Sequence, residues 1–253
     1  MIRLVGSEVW AEDSGGDAAP VVLLHPGWGD STIWDAVVAR LDGSIRVIRY
    51  DARGYGRSPA PGGSFSALGD LIAVLDILGV AQAVIAGHSG GGATAVSLAL
   101  AQPERVRSLI LLAPGIDGYP WPADDPFAVQ CHALAQRGDV EGLVALGLRT
   151  WAAAEDGPRA VAQIRSAVAG MFAQGDHVRS DPSAFELLER IRVPTELVIG
   201  DLEYPMVADC ANNAAARIPG CRLTRVPGAD HLLPLRAPGL IADLITAGTV
   251  REG

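Results

Sequence analysis

A serine flanked by glycines lies at the centre of GHSGG at residues 87–91, which matches the pattern G-x-S-x-G. The apolar run AVIA at 83–86 precedes the pattern, and a segment of small residues that predicts a helix follows it. In this strand–turn–helix context the pattern predicts a nucleophile elbow, a sharp turn that exposes the hydroxyl of Ser89. The N–H of Gly90, at the start of the helix, would lie beside that hydroxyl and could stabilise a developing oxyanion. The chemistry indicated is nucleophilic attack on a carbonyl carbon.

A serine nucleophile needs a base, and the chain contains five histidines. His231 lies in VPGADHLLPL, directly after the last predicted strand, where a loop can reach back over the edge of a sheet. His88 adjoins Ser89, and we expect its side chain to point elsewhere. The other three end an early strand or lie in the middle of the chain: His25, His132 and His177. We therefore predict that His231 is the base.

The third member must be a carboxylate that orients the imidazole. The loop after the predicted strand TELVIG offers Asp201 and Glu203, and it lies between the serine and the histidine in the chain. The resulting order of serine, acid and histidine is the one expected with this elbow. Glu203 lies further along the loop and is better placed, whereas Asp201 could still belong to the strand and stays an alternative. Asp117, after the preceding strand, is a third candidate.

These residues need a scaffold, and short apolar runs alternate with helical patterns along most of the chain. Continuous apolar runs of this length are typical of strands buried on both faces. Their alternation with helices predicts the α/β class, with a mostly parallel, doubly wound central sheet. The opening IRLVGSEVWAE could add an antiparallel edge strand or a strand pair. The predicted strands are 21–25, 45–51, 83–88, 106–115, 195–201 and 221–228, and the predicted helices are 66–79, 91–102, 206–217 and 238–247.

Residues 116–185 break this alternation. They contain two helical segments, at about 127–155 and 158–175, and no convincing strand. We interpret them as a helical cap inserted into a core of residues 1–115 and 186–253. An insertion at this point would lie over the carboxyl ends of the strands, where open α/β sheets bind ligands. Its large apolar side chains are candidates for lining a substrate pocket: Trp121, Phe127, Trp151, Met171 and Phe172.

Five motifs follow one another over some two hundred residues: LLHPGWGDSTIW, YDARGYGRS, GHSGGG, RVPTELVIGDLEYP and GADHLLPL. Together and in this order they resemble the serine hydrolases of the α/β-hydrolase fold. The resemblance implies that fold, a catalytic triad and an esterase or lactonase activity. It also implies that the acid is Glu203 and that the N–H of Gly27 is a second oxyanion donor. Trp28, beside that donor, is expected to face the substrate.

Three positions depart from the pattern of that family. Pro26 stands where a glycine is usual, so this loop would be stiffer. Gly90 stands where a methionine or glutamine is common, which leaves the floor beside Ser89 more open. Glu203 stands where an aspartate is commoner, so Asp201 stays open as the alternative acid.

Composition excludes several other classes of function. The net charge of −9 and the pI near 5.0 disfavour nucleic acid as a partner. All 20 basic residues are arginine, which excludes Schiff-base chemistry through a lysine. Neither metal-ligand spacing nor a dinucleotide-binding fingerprint occurs, so we expect no metal and no cofactor. We expect no membrane span, no signal peptide and a cytoplasmic location, where the three cysteines would stay reduced.

The sequence therefore predicts a cofactor-independent serine hydrolase that cleaves a carboxylic ester or lactone through an acyl-enzyme. The partner would be a small-to-medium, largely apolar molecule, and the chain would be a monomer or a homodimer. The same triad could alternatively hydrolyse a C–C bond beside a carbonyl or perform a non-hydrolytic lyase reaction. A further alternative is a ligand-binding protein that keeps the fold without catalysis.

Overall fold

The centre of the molecule is a mostly parallel sheet, seen in a computed structural model that describes residues 1–16, 20–41 and 43–250. The strands in this part of the chain are β1 (Ile2–Leu4), β2 (Ser7–Val9), β3 (Ala11–Asp13), β4 (Val21–Leu24), β5 (Val47–Tyr50), β6 (Ala83–His88), β7 (Val106–Leu112), β8 (Thr195–Gly200) and β9 (Arg222–Val226). The sheet order is β3-β5-β4-β6-β7-β8-β9, with β3 antiparallel to β5 at one edge and every other pair parallel. β1 and β2 form a separate antiparallel pair. The predicted α/β class is confirmed, and the opening residues supply both an edge strand and a strand pair.

The middle strands are buried along their length because helices cover both faces of the sheet. Every residue of β4 and of β6 is buried, and β7 is buried except at Arg107. A strand with two buried faces has no outward positions for polar side chains. That is why these strands are continuous apolar runs rather than alternating ones.

The helices follow the strands in the expected alternation. In the described residues they are α1 (Asp35–Val38), α2 (Ala67–Ile77), α3 (Gly90–Ala101), α4 (Pro126–Gln136), α5 (Val140–Trp151), α6 (Pro158–Gln174), α7 (Pro205–Arg217), α8 (Leu233–Arg236) and α9 (Pro238–Val250). Local signals set several of their starts. The Ser66 side chain accepts a hydrogen bond from the N–H of Gly69 at the start of α2. Pro205 occupies the first position of α7, where a missing N–H costs nothing.

Residues 126–174 form three helices, so the prediction of two helical segments was wrong. The predicted segment at about 127–155 contains both α4 and α5. The chain breaks at Gly138, whose φ of +63° lies in the left-handed region that glycine adopts without strain. Asp139 then caps α5 by accepting a hydrogen bond from the N–H of Gly142 at 2.9 Å. The residue that ends α4, Gly138, is therefore followed directly by the residue that caps α5, Asp139.

The carboxyl ends of the parallel strands bring distant parts of the chain to one edge of the sheet. Gly27 follows β4 and Ser89 follows β6, and these two strands are neighbours. Glu203 follows β8 and His231 follows β9, which are also neighbours. Ligands of open α/β sheets bind at this edge. The topology thus collects the candidate catalytic residues where a ligand site is expected.

Ser89 lies at a turn that leaves no room for side chains on Gly87 and Gly91. Its φ of +52° and ψ of −115° are values that a non-glycine residue rarely adopts. A Cβ on Gly87 would overlap the carbonyl oxygen of Gly91. A Cβ on Gly91 would overlap the carbonyl oxygen of Leu24 and lie 2.7 Å from that of His25. Glycine is therefore imposed at position 87 by the tightness of the elbow itself and at position 91 by the close approach of the elbow to β4.

Replacing Gly91 with alanine should lower the free energy of unfolding by about 3 kcal/mol or more, because the new methyl meets backbone rather than a movable side chain. The matched control is Gly90→Ala, whose Cβ would meet nothing closer than the nitrogen of Gly27 at 3.5 Å. We expect that control to change stability by less than about 0.5 kcal/mol. Urea titration of the three proteins measures both effects, and equal stabilities would contradict the steric argument.

Candidate active site

The Ser89 backbone is locked by hydrogen bonds on both sides of the elbow. Its N–H donates to the carbonyl of Leu112 in β7 at 2.9 Å. Its own carbonyl accepts from the N–H groups of Ala93 and Gly115, both at 3.1 Å. The residue is partly exposed, and it lines a cavity at the carboxyl edge of the sheet. The strained turn is therefore held rigidly while the hydroxyl stays accessible.

Glu203 is the acid that the structure places against His231. The Nδ1 of His231 lies 2.9 Å and 3.0 Å from the two carboxylate oxygens of Glu203. The two side chains are 0% and 1% exposed, so water does not screen this pair. The N–H of Tyr204 also donates to Oε1 of Glu203 at 2.8 Å, which fixes the carboxylate. A carboxylate at Nδ1 holds the proton there and leaves Nε2 as the basic nitrogen.

The two rival acids do not reach the imidazole. Asp201 is exposed, and its carboxylate accepts a hydrogen bond from the N–H of Gly228 at 2.7 Å. Asp117 lines the cavity, and its backbone carbonyl accepts from the N–H groups of Ala184 and Phe185. Burial, with a smaller effect of the charge on Asp181, raises the pKa of the Asp117 carboxyl. Glu203 alone of the three sequence candidates contacts His231.

The second nitrogen of His231 is buried and has no hydrogen-bond partner among the described residues. Ser89 and His231 are therefore brought to the same edge of the sheet without a hydrogen bond between them. In structures without substrate, hydrogen bonds of this kind are often long and become short only in the complex. The free lone pair on Nε2 is the group that could take a proton from the hydroxyl.

His88 holds the loop that carries His231, a role that the sequence did not reveal. Its side chain points away from the serine, as expected, and its Nε2 lies 2.7 Å from the carbonyl oxygen of His231. Burial moves the pKa of His88 well below its ordinary value, and electrostatic interactions with His231 and His25 lower it further. Because a carbonyl only accepts, the neutral ring must carry its proton on Nε2. Its ring centroid lies 4.9 Å from that of His231.

The loop after β4 presents the N–H of Gly27 beside the N–H of Gly90. The Cβ position of Gly90 lies 3.5 Å from the nitrogen of Gly27. Gly90 begins α3, so its N–H has no acceptor within the helix. The hydroxyl of Tyr55 donates to the carbonyl of Gly27 at 3.1 Å and fixes that peptide. The N–H groups of Gly27 and Gly90 are therefore the candidates for binding one oxyanion.

His25 supports this loop and is not placed to act as a base. Its Nε2 accepts a hydrogen bond from the N–H of Ala52 at 2.9 Å. Its Nδ1 lies 2.8 Å from the carbonyl of Pro26, so Nδ1 carries the proton. Both nitrogens are therefore occupied by backbone groups. His132 and His177 are exposed in the helical segment.

Asp30 joins the same loop to α6. Its carboxylate accepts from the hydroxyl of Ser166 at 2.6 Å and from the N–H of Thr32 at 2.9 Å, and its own N–H donates to Gln163 at 3.0 Å. Burial raises the pKa of Asp30, but hydrogen bonds from Ser166, Thr32 and Gln163 outweigh it, so the pKa lies below the ordinary value. The ionised carboxylate thus stabilises the folded loop.

The cavity beside Ser89 has a volume of about 350 Å³. Four of the five aromatic residues predicted to face substrate or line a pocket belong to its wall: Trp28, Trp121, Phe127 and Trp151. Met171 and Phe172 do not line it, since α6 directs them elsewhere, so that expectation was wrong. Asp117 and Asp125 are the only charged residues in the described wall.

One aromatic wall of the cavity also contacts the candidate base. The ring of Trp151 lies 4.6 Å from the ring of His231 and 4.8 Å from that of Phe127. Tyr204, which the sequence did not single out, lies 5.6 Å from Trp151 and donates its hydroxyl to Asp125. Burial and the hydrogen bond to Asp125 raise the pKa of Tyr204 to about 12, so the hydroxyl keeps its proton at neutral pH.

Other kinds of site find no support in the described residues. No group of three or more His, Cys, Asp or Glu side chains there could hold a metal ion. The cysteines at 131, 210 and 221 are unpaired, and burial raises the pKa of Cys210 to about 12. No helix in this part of the chain combines the length and the apolarity that crossing a membrane requires.

Comparison with known proteins places this geometry in context. Residues 21–244 match the pattern described as "Alpha/beta hydrolase family". The chain is 29% identical to "Putative carbamate hydrolase RutD" of Caulobacter sp. (strain K31), over 91% of each chain. It is 29% identical to the pimeloyl-[acyl-carrier protein] methyl ester esterase of Aromatoleum aromaticum, over 89% of this chain and 96% of the esterase. The enol-lactonase from Burkholderia xenovorans LB400 shares the fold with a TM-score of 0.79 at 23% identity, over 97% of this chain and 98% of the lactonase.

Replacing Asp30 with alanine should lower the free energy of unfolding by about 2 kcal/mol at neutral pH, because buried donors lose a charged acceptor. The pKa of Asp30 is lower in the folded than in the unfolded chain, so its contribution is full above the ordinary value of 3.8. The difference in the free energy of unfolding between the wild type and Asp30→Ala should shrink as the pH falls below that value. Urea titrations at several pH values measure it.

Glu141→Gln is the matched control, since this exposed carboxylate pairs with Arg165 at the surface. It should leave stability unchanged. A difference for Asp30→Ala that stays constant down to the lowest pH would contradict the ionic contribution.

Proposed function

The chain belongs to the alpha/beta hydrolase family, and from this premise we propose that it is a cofactor-independent serine hydrolase of carboxylic esters or lactones. The observation that carries the proposal is the buried contact of 2.9 Å between Glu203 and the Nδ1 of His231, beside a rigid serine elbow. The name of the esterase relative, which acts on a methyl ester, agrees with the ester class. A lactone is a cyclic ester and undergoes the same attack.

In the proposed acylation step, Oγ of Ser89 attacks the carbonyl carbon while Nε2 of His231 takes the hydroxyl proton. The carbonyl oxygen becomes an oxyanion that accepts hydrogen bonds from the N–H groups of Gly27 and Gly90. Collapse breaks the bond to the alcohol oxygen, which receives the proton from Nε2. The acyl group is then bonded to Ser89, and in a lactone the alcohol stays attached to it.

Water completes the cycle in the proposed second step. Nε2 of His231 takes a proton from water, and the resulting hydroxide adds to the acyl carbon. Collapse of this second tetrahedral intermediate breaks the bond to Oγ of Ser89, which regains its proton from His231. Glu203 holds the imidazole in one tautomer and offsets its charge in both steps. One donor of the oxyanion site is worth about 3–4 kcal/mol of barrier lowering.

The cavity wall favours an uncharged, largely apolar substrate of small to medium size. Aromatic rings form much of it, and its volume of about 350 Å³ lies in the range of small-molecule sites. Asp117 and Asp125 would repel a carboxylate, and no arginine lines the described wall to offset them. We therefore propose that neutral esters are better substrates than esters that carry a free carboxylate.

We also propose that residues 116–185 act as a cap on a core formed by residues 1–115 and 186–253. Helices α4, α5 and α6 supply Phe127 and Trp151 to the cavity wall and the partner of Asp30 to the loop after β4. The three unpaired cysteines agree with a reducing compartment such as the cytoplasm.

Brief treatment with a fluorophosphonate should add one phosphonyl group to the chain, on Ser89, because only an activated hydroxyl displaces fluoride quickly. Intact mass gives the number of adducts, and peptide mapping gives the residue. Ser89→Ala and His231→Ala should each abolish the adduct while the circular dichroism stays unchanged. An adduct on another residue, or ester hydrolysis that survives Ser89→Ala, would contradict the proposed nucleophile.

Product analysis separates this reaction from the other reactions open to such a triad. Hydrolysis of an ester yields one acid and one alcohol. Cleavage of a C–C bond beside a carbonyl instead yields two fragments that a carbon–carbon bond had joined. Failure to turn over any ester, combined with tight ligand binding, would instead support a non-catalytic protein.

The choice of acid can be tested with two substitutions in one loop. Glu203→Ala should lower kcat by about a thousandfold to ten-thousandfold, because the imidazole loses its fixed tautomer. Asp201→Ala should leave kcat within about twofold of the wild type, since that carboxylate accepts a hydrogen bond from Gly228 and does not reach the imidazole. Initial rates on p-nitrophenyl acetate measure both. A larger loss for Asp201→Ala than for Glu203→Ala would reassign the acid.

A further inference from the structure

A second, smaller cavity lies behind the amides of Gly27 and Gly90. Its volume is about 180 Å³, and the large cavity beside Ser89 shares only these two glycines with it. The function proposed above leaves the small cavity without a role. Its wall is mainly apolar and includes Leu24, Tyr50, Tyr55, Phe65, Thr94 and Val178.

The carboxylate and the imidazole in the wall of the small cavity have hydrogen-bond partners within the protein. Asp70 accepts two hydrogen bonds from Arg53, at 2.6 Å and 2.7 Å, so this buried pair has no unmatched charge. The two ring nitrogens of His25 are both occupied by backbone groups. The cavity therefore suits an uncharged, apolar group.

Gly90 stands at the junction of the two cavities, and sterics do not require a glycine there. Its backbone lies outside the left-handed region, and a Cβ would meet nothing closer than the nitrogen of Gly27 at 3.5 Å. A Cβ on Gly91, by contrast, would overlap the carbonyl oxygen of Leu24. Because Gly90 lines both cavities, the empty side-chain position there is the expected passage between them.

Proton transfer decides which half of an ester would enter which cavity. The alcohol oxygen must lie near Nε2 of His231 to receive its proton. Trp151, whose ring lies 4.6 Å from that of His231, lines the large cavity. Neither residue belongs to the described wall of the small cavity. With the carbonyl oxygen on the two amides, the alcohol side faces the large cavity and the acyl chain faces the small one.

We infer that Gly90 is a specificity-determining residue that admits a short, uncharged acyl chain to the small cavity. The substrate class is then an ester with a short apolar acyl group and a larger alcohol portion. A volume of about 180 Å³ holds about six groups the size of a water molecule, which corresponds to an acyl chain of up to about six carbons. This inference rests on the proposed ester hydrolysis.

The test uses Gly90→Met, which keeps the N–H at position 90 and fills the passage. Substrates are p-nitrophenyl acetate, butanoate, hexanoate and decanoate, which share one leaving group. For the wild type, kcat/KM should rise roughly fourfold per methylene from acetate to butanoate and fall again by decanoate. In Gly90→Met the ratio of butanoate to acetate should drop about tenfold.

Two further variants separate the cavities from the oxyanion amides. Val178→Trp narrows the small cavity from the helical segment without touching Gly27 or Gly90, and it should lower the same ratio. Ala93→Leu narrows the large cavity alone, so it should leave the ratio of kcat/KM for butanoate to that for acetate unchanged. It should instead lower kcat/KM for naphthylmethyl acetate relative to ethyl acetate.

Each outcome decides the inference. An acyl profile that stays unchanged in both Gly90→Met and Val178→Trp, with hydrolysis retained, overturns it while the proposed function stands. If these two variants change only the ratio of kcat/KM for naphthylmethyl acetate to that for ethyl acetate, the orientation is reversed and the inference is overturned. If Gly90→Met fails to fold, Val178→Trp decides. Absence of any hydrolysis that depends on Ser89 overturns the proposed function itself, and the inference with it.

Discussion

The contact between Gly91 and the carbonyl oxygens of Leu24 and His25 is the constraint on which the rest of the site depends. Because only a hydrogen fits there, α3 begins directly against the end of β4. This approach brings the backbone of Gly27 close to Gly90, next to the serine turn. The strain at the turn is tolerated because hydrogen bonds to β7, to the loop after β7 and to α3 surround it. One tight backbone contact therefore organises both the nucleophile and the donors.

A second close approach joins the acid to the base. A Cβ on Gly200 would overlap the carbonyl oxygen of Ala229, so β8 ends against the loop that carries His231. From there the Glu203 carboxylate reaches Nδ1 without leaving the interior. His88 holds the other side of that loop through a backbone carbonyl. Since His88 precedes the serine directly, the elbow and the histidine loop are linked by one buried, neutral side chain.

The helical segment is fastened to three of the loops that form the site, those after β4, β8 and β9. This matters because the same segment supplies much of the cavity wall, so wall and catalytic loops keep one relative position. The tether to the loop after β4 involves a charged acceptor, which makes it sensitive to acid. The tethers run from Ser166 to Asp30, from the N–H of Ala154 to Asp230 at 2.9 Å, and from Tyr204 to Asp125.

Periodicity and turn residues are local signals, so they were enough to predict the fold class, the alternation of strands and helices in the core, and the loops in which chemistry could occur. The sequence did not foresee the break at Gly138, and it left the acid open between Glu203 and Asp201 in one loop. Only the folded loop turns Glu203 towards His231 and Asp201 towards Gly228. The link from His88 spans 143 residues, and the second cavity has walls from five parts of the chain. Such features depend on distances, set to within an ångström, between segments that are far apart in the chain. A residue pattern specifies which face of a helix or strand is buried and where the chain turns, but it does not specify those distances.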